Sequence, residues 1–152
     1  MKYLEGHNGP SDGLIALFGA SFTASEGPDE GQVIAKLVRD LIELTPVDDL
    51  AVFSIEEHNE LIASIMFTPL VFRDDKRSVA LLSPVAVAPD HQRQGHGQAL
   101  LTHGLAAIRR KGIDVAITYG NPAYYSRVGF KQITASPPQS AARLACPASV
   151  ER

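Results

Sequence analysis

Apolar and polar positions along this chain fall into blocks with two different periods, and the blocks alternate between strand-like and helix-like. Val79 to Ala88 is a short apolar, β-branched run, long enough for a buried strand and too short to span a membrane. Pro89-Asp90 closes it. After a Gly-bearing loop, Leu100, Leu101, Leu105 and Ile108 keep one face of a helix apolar. Arg109-Arg110-Lys111 suits the negative pole of that helix, and Gly112 is the residue type preferred just past a last turn.

Upstream, Leu14 to Phe22 predicts a helix capped by Ser11 or Asp12. Glu26-Gly27-Pro28 breaks the pattern. Asp29 to Leu44 predicts a second helix, with Val33, Ile34, Leu37, Val38, Leu41 and Ile42 as its apolar stripe. Leu50 to Ile55 and Leu61 to Phe67 read as a hairpin around the polar turn Glu56 to Glu60, with His58 as a solvated turn residue. Thr68 to Ser78 reads as a loop whose charged run, Arg73 to Arg77, forms a hairpin tip between the third and fourth strands. Downstream, Ile113, Val115, Ile117 and Tyr119 alternate as a fifth strand. Asn121 and Pro122 are suited to the N-cap and first position of a short helix that ends at Gly129, and Phe130 begins another strand. The two ends carry less signal. Only Lys2 to Leu4 offers a first strand, and only Ala142 to Ala145 looks strand-like in the Ala-, Ser- and Pro-rich stretch from Thr134 to Arg152.

Composition narrows the class. A chain of 152 residues, 45% hydrophobic and 20% charged, fits one globular domain over residues 1–152 with a sizeable core. A net charge of −3 and the lack of a dense basic patch argue against nucleic-acid binding. The lone Cys146 excludes an internal disulfide and any Cys-rich metal site, so no metal is expected. The polar, Gly-rich sequence after Met1-Lys2 lacks a signal-peptide pattern, and the expected location is cytoplasmic with no membrane partner.

The chemistry concentrates in Gln92-Arg93-Gln94-Gly95-His96-Gly97-Gln98. A glycine-bearing loop that opens into a helix is an anion site, because the first backbone N–H groups of a helix find no acceptor inside it and lie at the positive pole of its dipole. Glycines at 95 and 97 remove the Cβ atoms that would hold a phosphate away, and Arg93 adds a charge. The sequence is not a P-loop, since Gly97 is followed by Gln98-Ala99 and not by Lys and Ser or Thr. Nor does it fit a dinucleotide fingerprint starting at Gly95, which needs Gly or Ala where Leu100 stands.

Gln-x-x-Gly-x-Gly after the Pro-Val-Ala-Val-Ala-Pro strand resembles the pyrophosphate-binding motif of the GNAT superfamily of acetyl-CoA-dependent N-acetyltransferases. A second segment, Asn121-Pro-Ala-Tyr124-Tyr125-x-Arg127-x-Gly129-Phe130, is similar to the second signature of that superfamily. The resemblance implies an α+β fold (α/β/α layered), with a mixed, mostly antiparallel sheet flanked by helices. Its fourth and fifth strands run parallel and splay apart to admit the cofactor. Pro84, without an N–H, suits a strand whose pairing is interrupted.

The resemblance also implies acetyl transfer from acetyl-CoA to a primary amine by direct attack. The pantetheine arm pairs with the edge of Val85-Ala86-Val87, where a backbone N–H polarises the thioester carbonyl. Gln92 to Gln98 bind the pyrophosphate, Asn121 matches a position that hydrogen-bonds the pantetheine arm, and Tyr125 protonates the departing thiolate. The plainer alternative for Tyr124 and Tyr125 is packing of the short helix against the sheet. Two departures stand out. No carboxylate occupies Val79 to Val87, where some relatives keep a general base, so no base is named; Glu56 or Glu57 acting through water is one conceivable route. The C-terminal stretch also lacks the usual long strand, so an open edge at Phe130 to Ile133 predicts a homodimer. A catalytically idle acyl-CoA-binding or regulatory module of the same fold is the competing reading, and an unrelated phosphate-binding domain is the third.

Overall fold

The computed structural model describes residues 1–7, 12–72, 75–132 and 142–147. Ser11, Arg73-Asp74 and the remainder of the C-terminal stretch lie outside them. Strands β1 (Lys2–Glu5), β2 (Ala51–Glu57), β3 (Glu60–Phe72), β4 (Asp75–Val87), β5 (Val115–Gly120), β6 (Lys131–Gln132) and β7 (Ala142–Pro147) form a mixed sheet, with neighbours in the order β1-β2-β3-β4-β5-β7-β6. Helices α1 (Asp12–Glu26), α2 (Pro28–Leu44), α3 (His96–Arg110) and α4 (Pro122–Tyr125) flank it. The chain divides into two compact units, Met1–Met66 with Pro84–Leu100 and Phe67–Ser83 with Leu101–Arg152.

In the first unit, α1 and α2 pack together over a core of Leu14, Leu17, Phe18, Val38, Leu50, Val52, Met66 and Ala86. Gly27, at φ 100°, ends α1 and serves as the N-cap of α2, with Pro28 at its first position. Asp12 lies inside the first turn of α1 and not at its cap, and the helix runs on to Glu26, four residues beyond the apolar pattern that announced it. The stripe on α2 is only partly used. Val38 is fully buried and Ile34, Leu41 and Ile42 pack against the core, whereas Val33 and Leu37 remain 59% and 39% exposed. A single helix face is wide enough to touch the core along one edge only.

The β2–β3 hairpin turns on two residues. His58 and Asn59 have φ values of 53° and 64°, the pair of positive angles that a tight type I′ turn requires. Glu56, Glu57 and Glu60 therefore belong to strands, and the five-residue turn expected from their polarity shrinks to His58-Asn59. His58 is exposed, as a turn residue should be. Buried Ser54 and Ser64 satisfy each other across this pair: Ser54 donates to Ser64 Oγ at 3.0 Å, and Ser64 donates to Phe53 O at 3.2 Å. Strand β1 pairs antiparallel with β2, from Lys2↔Glu56 to Glu5↔Phe53.

The expected loop from Thr68 to Ser78 is mostly strand, because β3 continues to Phe72 and β4 starts at Asp75. Thr68, Val71 and Phe72 are good strand formers, and Pro69 disguised them.

In the second unit, β4 and β5 run parallel from Val79↔Val115 to Leu82↔Thr118. Asp114 fastens the start of that pairing, since its carboxylate accepts from Ser78 N and its own N–H donates to Ser78 O, both at 2.8 Å. The loop into β5 leaves α3 through two linked bonds, Gly112 N to Arg109 O and Ile113 N to Ile108 O, which is the Schellman end that Gly112 announced. On β5 the fully buried residues are Ala116 and Thr118, while Val115 and Ile117 are half-buried and Tyr119 is exposed. The apolar alternation thus marked the strand, and the residues between its apolar positions are the buried ones.

The final strand is present within the chain. β7 pairs antiparallel with β5 from Val115↔Pro147 to Gly120↔Ala142, and with β6 at Lys131↔Ala145 and Gln132↔Leu144. The last strand is therefore supplied by the chain itself, and β6 remains the end strand of the sheet. It covers the strand-like Ala142 to Ala145 and two residues more; its sequence is short and Ala-rich, and its partners lie more than ten residues away in sequence.

Candidate functional site

The first candidate region is the turn between β4 and α3. Ala88 N donates to Ile62 O at 2.8 Å, which holds the end of β4 to β3. Gln92 Nε2 then donates to Val87 O at 3.1 Å, so this side chain braces the turn against the strand that precedes it. Arg93 adopts φ 65°, a left-handed conformation that costs a non-glycine residue on the order of 1–2 kcal/mol. Gly95 follows at φ 86°, and its carbonyl accepts from Ala99 N at 3.0 Å, which makes it the N-cap of α3. A Cβ built at Gly95 meets nothing within 4 Å, so glycine is required there by its backbone angle and not by crowding from the chain itself.

The N–H groups of His96 and Gly97 belong to the first turn, where a helix supplies no acceptor of its own. Arg93, Gln94 and Gly95 are exposed, Gly97 is buried, and Gln98 is half-buried. His96 Nε2 lies 3.2 Å from Gln94 Oε1, and its ring tilts against His91 with centroids 6.1 Å apart. His91 Nδ1 is buried without a protein partner, a feature the sequence did not suggest. A glycine-bearing turn at a helix N-terminus, with open space in front of Gly95, fits a phosphate-bearing ligand. On the preceding strand Ala86 is buried, while Val85 and Val87 are half-buried.

The second candidate region surrounds Tyr125. Asn121 caps α4 through Oδ1, which accepts from Ala123 N at 2.9 Å, and its backbone carbonyl accepts from Tyr124 N and Tyr125 N. With Oδ1 engaged, the group that exposed Asn121 offers a ligand is its Nδ2 donor pair. Gly129, at φ 102°, stops the turn that continues from α4. Tyr125 is 8% exposed. Its ring makes edge contacts with Tyr124 and Phe130, at centroid distances of 5.1 and 5.5 Å. A Cβ built at Gly120 would collide with Tyr125 Cε2, so this glycine leaves the space that the ring fills.

The Tyr125 hydroxyl is pushed up to about 12, first by burial and then by Tyr124 beside it, against a smaller pull downward from its hydrogen bond to Thr118. It therefore holds its proton at neutral pH, as an acid must. Burial raises Tyr124 in the same direction. Thr118 and Gly120 were missed at the sequence level. The one available signal was a threonine and a glycine interrupting an apolar strand.

Glu56 lies in β2, paired with β1, and its carboxylate is 4.0 Å from Lys2 Nζ. Glu57 ends the same strand. Among the described residues no group of three or more His, Cys, Asp or Glu side chains comes together as a metal site, and no helix is long and apolar enough to cross a membrane.

The turn at Gly95 opens into α3, which links β4 to β5 along the chain. The chain belongs to the GNAT acetyltransferase family: the acetyltransferase (GNAT) domain family matches residues 7–133. It is similar to the uncharacterised N-acetyltransferase YhbS of Escherichia coli K12, with 30% identity over 122 residues that cover 78% of this chain and 66% of that protein. The crystal structure of E. coli YhbS in complex with CoA matches at a TM-score of 0.77 and 25% identity, over 97% of this chain and 82% of that one. A GNAT family acetyltransferase from Brucella melitensis in complex with acetyl-CoA matches at a TM-score of 0.67 and 25% identity, covering 93% and 95% of the two chains.

Proposed function

We propose that this chain is an N-acetyltransferase, built as a single domain over residues 1–152, that moves an acetyl group from acetyl-CoA to a primary amine by direct attack. The observation that carries the reading is the turn into α3, where Gly95 stands at φ 86° with open space in front of its backbone. The CoA and acetyl-CoA complexes of the two structural relatives support the choice of ligand.

Acetyl-CoA supplies the activated thioester, and the chain supplies recognition and proton transfer. Backbone N–H groups from Gln94 to Gln98 receive the pyrophosphate, with Gln92 and Arg93 at the rim. The backbone of Val85-Ala86-Val87 pairs with the pantetheine amides as an added strand does, and one of its N–H groups polarises the thioester carbonyl. The Nδ2 group of Asn121 donates to the same arm. The acceptor nitrogen attacks in its neutral form and loses a proton to solvent as the new amide bond forms. The carbon–sulfur bond breaks, and Tyr125 gives its phenolic proton to the thiolate.

No protein base is assigned, so the neutral fraction of the acceptor sets the supply of nucleophile. The rate then rises with pH toward the acceptor's own pKa. Location in the cytoplasm goes with this cosubstrate, and a homodimer is no part of the reading.

Calorimetry with CoA tests it. Gly95→Val puts a branched side chain into the space in front of the turn, and affinity should fall by at least about tenfold while circular dichroism reports a retained fold. Unchanged CoA affinity in the folded variant would refute the assignment. The idle-module alternative draws on the strand Val79 to Val87, which has no carboxylate. Thiol release from acetyl-CoA across a panel of small primary amines separates the two, since an idle module binds CoA and releases none.

A further inference from the structure

The last peptide of β4 is tied at both of its poles. Ala88 N donates to Ile62 O on β3 at 2.8 Å, and Val87 O accepts from Gln92 Nε2 at 3.1 Å. The two groups belong to one peptide plane, and in a trans peptide the N–H and the C=O point in opposite directions. Since the N–H faces β3, the carbonyl and the Gln92 amide on it lie along the edge of β4 turned away from β3. A carbonyl only accepts, so Nε2 and not Oε1 must face it. That requirement fixes the orientation of a side chain that is otherwise exposed.

A third bond completes the link from strand to turn. His91 N donates to Ala88 O at 2.9 Å and closes the short helical turn Pro89–His91. Gln92 leaves that turn with extended backbone, at φ −74° and ψ 156°, and the next residue is Arg93 at φ 65°. A left-handed non-glycine residue persists where its surroundings over-determine it. Of the three bonds, the one from Gln92 is made by a side chain, so a substitution can remove it without touching the backbone.

We infer that Gln92 is a positioning residue for the cofactor: it pins the Val87–Ala88 peptide at the end of β4 and so fixes where the turn Gln94 to Gln98 begins, before any ligand arrives. This rests on the reading of that turn as the CoA pyrophosphate site. Gln92 acts there through Val87 O and the backbone, and its place at the rim follows from that bond.

The test compares the wild type with Gln92→Met, which keeps the length of the side chain and removes the donor, and with Gln92→Arg, which keeps a donor. Calorimetry with CoA is run at high salt, so that the arginine charge is screened. Gln92→Met should bind CoA about fivefold more weakly, the usual net worth of one hydrogen bond, and Gln92→Arg should recover most of the loss. In steady-state thiol release, KM for acetyl-CoA should rise by a similar factor in Gln92→Met at unchanged kcat, because the lost interaction serves ground state and transition state alike. A smaller folded fraction would instead lower kcat and leave KM in place. In the unliganded protein, the Ala88 amide should exchange with solvent about fivefold faster in Gln92→Met than in the wild type. Gln92→Ala answers the same questions if Gln92→Met does not fold.

Wild-type binding of CoA beside unchanged affinity and KM in Gln92→Met overturns the role of Gln92 alone. Weakened affinity with unchanged exchange at Ala88 also overturns it, since Gln92 would then act by touching the ligand. So does a Gln92→Arg protein that binds as weakly as Gln92→Met. A wild-type protein that binds no CoA overturns the reading of the turn, and this inference with it.

Discussion

The turn at Gln92 to Gly95 is exposed, whereas Tyr125 is a buried side chain bounded by Gly120, Tyr124 and Phe130. In the proposed reading the first region recognises CoA through N–H groups whose direction is set by the helix axis and by two left-handed residues, Arg93 and Gly95. The second places one hydroxyl, and almost everything around it is packing. Backbone recognition tolerates change in side chains and fails when a Cβ blocks the approach. A single buried hydroxyl tolerates neither its removal nor the displacement of its ring.

The sharpest way to break this contrast is Tyr125→Phe. Ring packing is kept and one oxygen is lost, so kcat should fall on the order of 10²-fold or more, with KM for acetyl-CoA near its original value. Tyr124→Phe should stay near wild type. Steady-state thiol release compares the three proteins, and equal turnover, with chemistry rate-limiting, would leave Tyr125 as packing with solvent protonating the thiolate.

Gly120→Ala attacks the same region without touching the phenol. The backbone at 120 is not among those with positive φ, so the added methyl acts by pressing on the ring. Displacement of the hydroxyl should lower kcat by roughly ten- to a hundredfold. CoA affinity measured by calorimetry should remain that of the wild type. A Gly120→Ala protein with normal kcat would show that the ring can shift without consequence.

A third effect is thermodynamic. Folded Tyr125 keeps its proton up to about 12, while an unfolded tyrosine loses it near 10. Between those values the native state binds more protons, so its stability is complete below pH about 10 and falls as pH rises toward 12. The loss attributable to Tyr125 should be roughly 2 kcal/mol across that window, and Tyr125→Phe should lack it. Urea midpoints at the two ends of the window, wild type against variant, decide this. Parallel losses in both proteins would place the alkaline sensitivity elsewhere.

The smallest effects belong to Arg93. An exposed charge is screened by salt, so Arg93→Ala should weaken CoA binding only a few-fold, with the difference closing at high ionic strength. Arg93→Gly should show the same affinity loss yet be more stable than Arg93→Ala by about 1 kcal/mol, because glycine accepts φ 65° without penalty. Thermal melts and calorimetry at two salt concentrations measure both. Equal stability of the two variants would mean that the turn relaxes once the side chain is gone.

What was legible in the sequence is what closes over a few residues. The Schellman end at Gly112, the Asn121 cap with Pro122 behind it, the breaker at Gly27 and the Gly95 turn into α3 each depend on hydrogen bonds between near neighbours or on one backbone angle. Their residue types state the geometry directly. The GNAT resemblance rested on two such local segments, and the family match agrees with it.

Tertiary structure alone decided the rest. That β7 inserts between β5 and β6 depends on pairings such as Ile117↔Ala145 and Lys131↔Ala145, to which an Ala-rich sequence contributes little signal of its own. That Ala116 and Thr118 form the inner face of β5, and not Val115 and Ile117, follows from which side of the sheet is covered, and alternation by itself is symmetric between the two faces. The bond from Thr118 to Leu82 O joins residues 36 apart, and only the parallel register Leu82↔Thr118 brings them together. Local chemistry named Tyr125, but the partner of the Thr118 hydroxyl is set by the registry of two strands, which no run of neighbouring residues encodes.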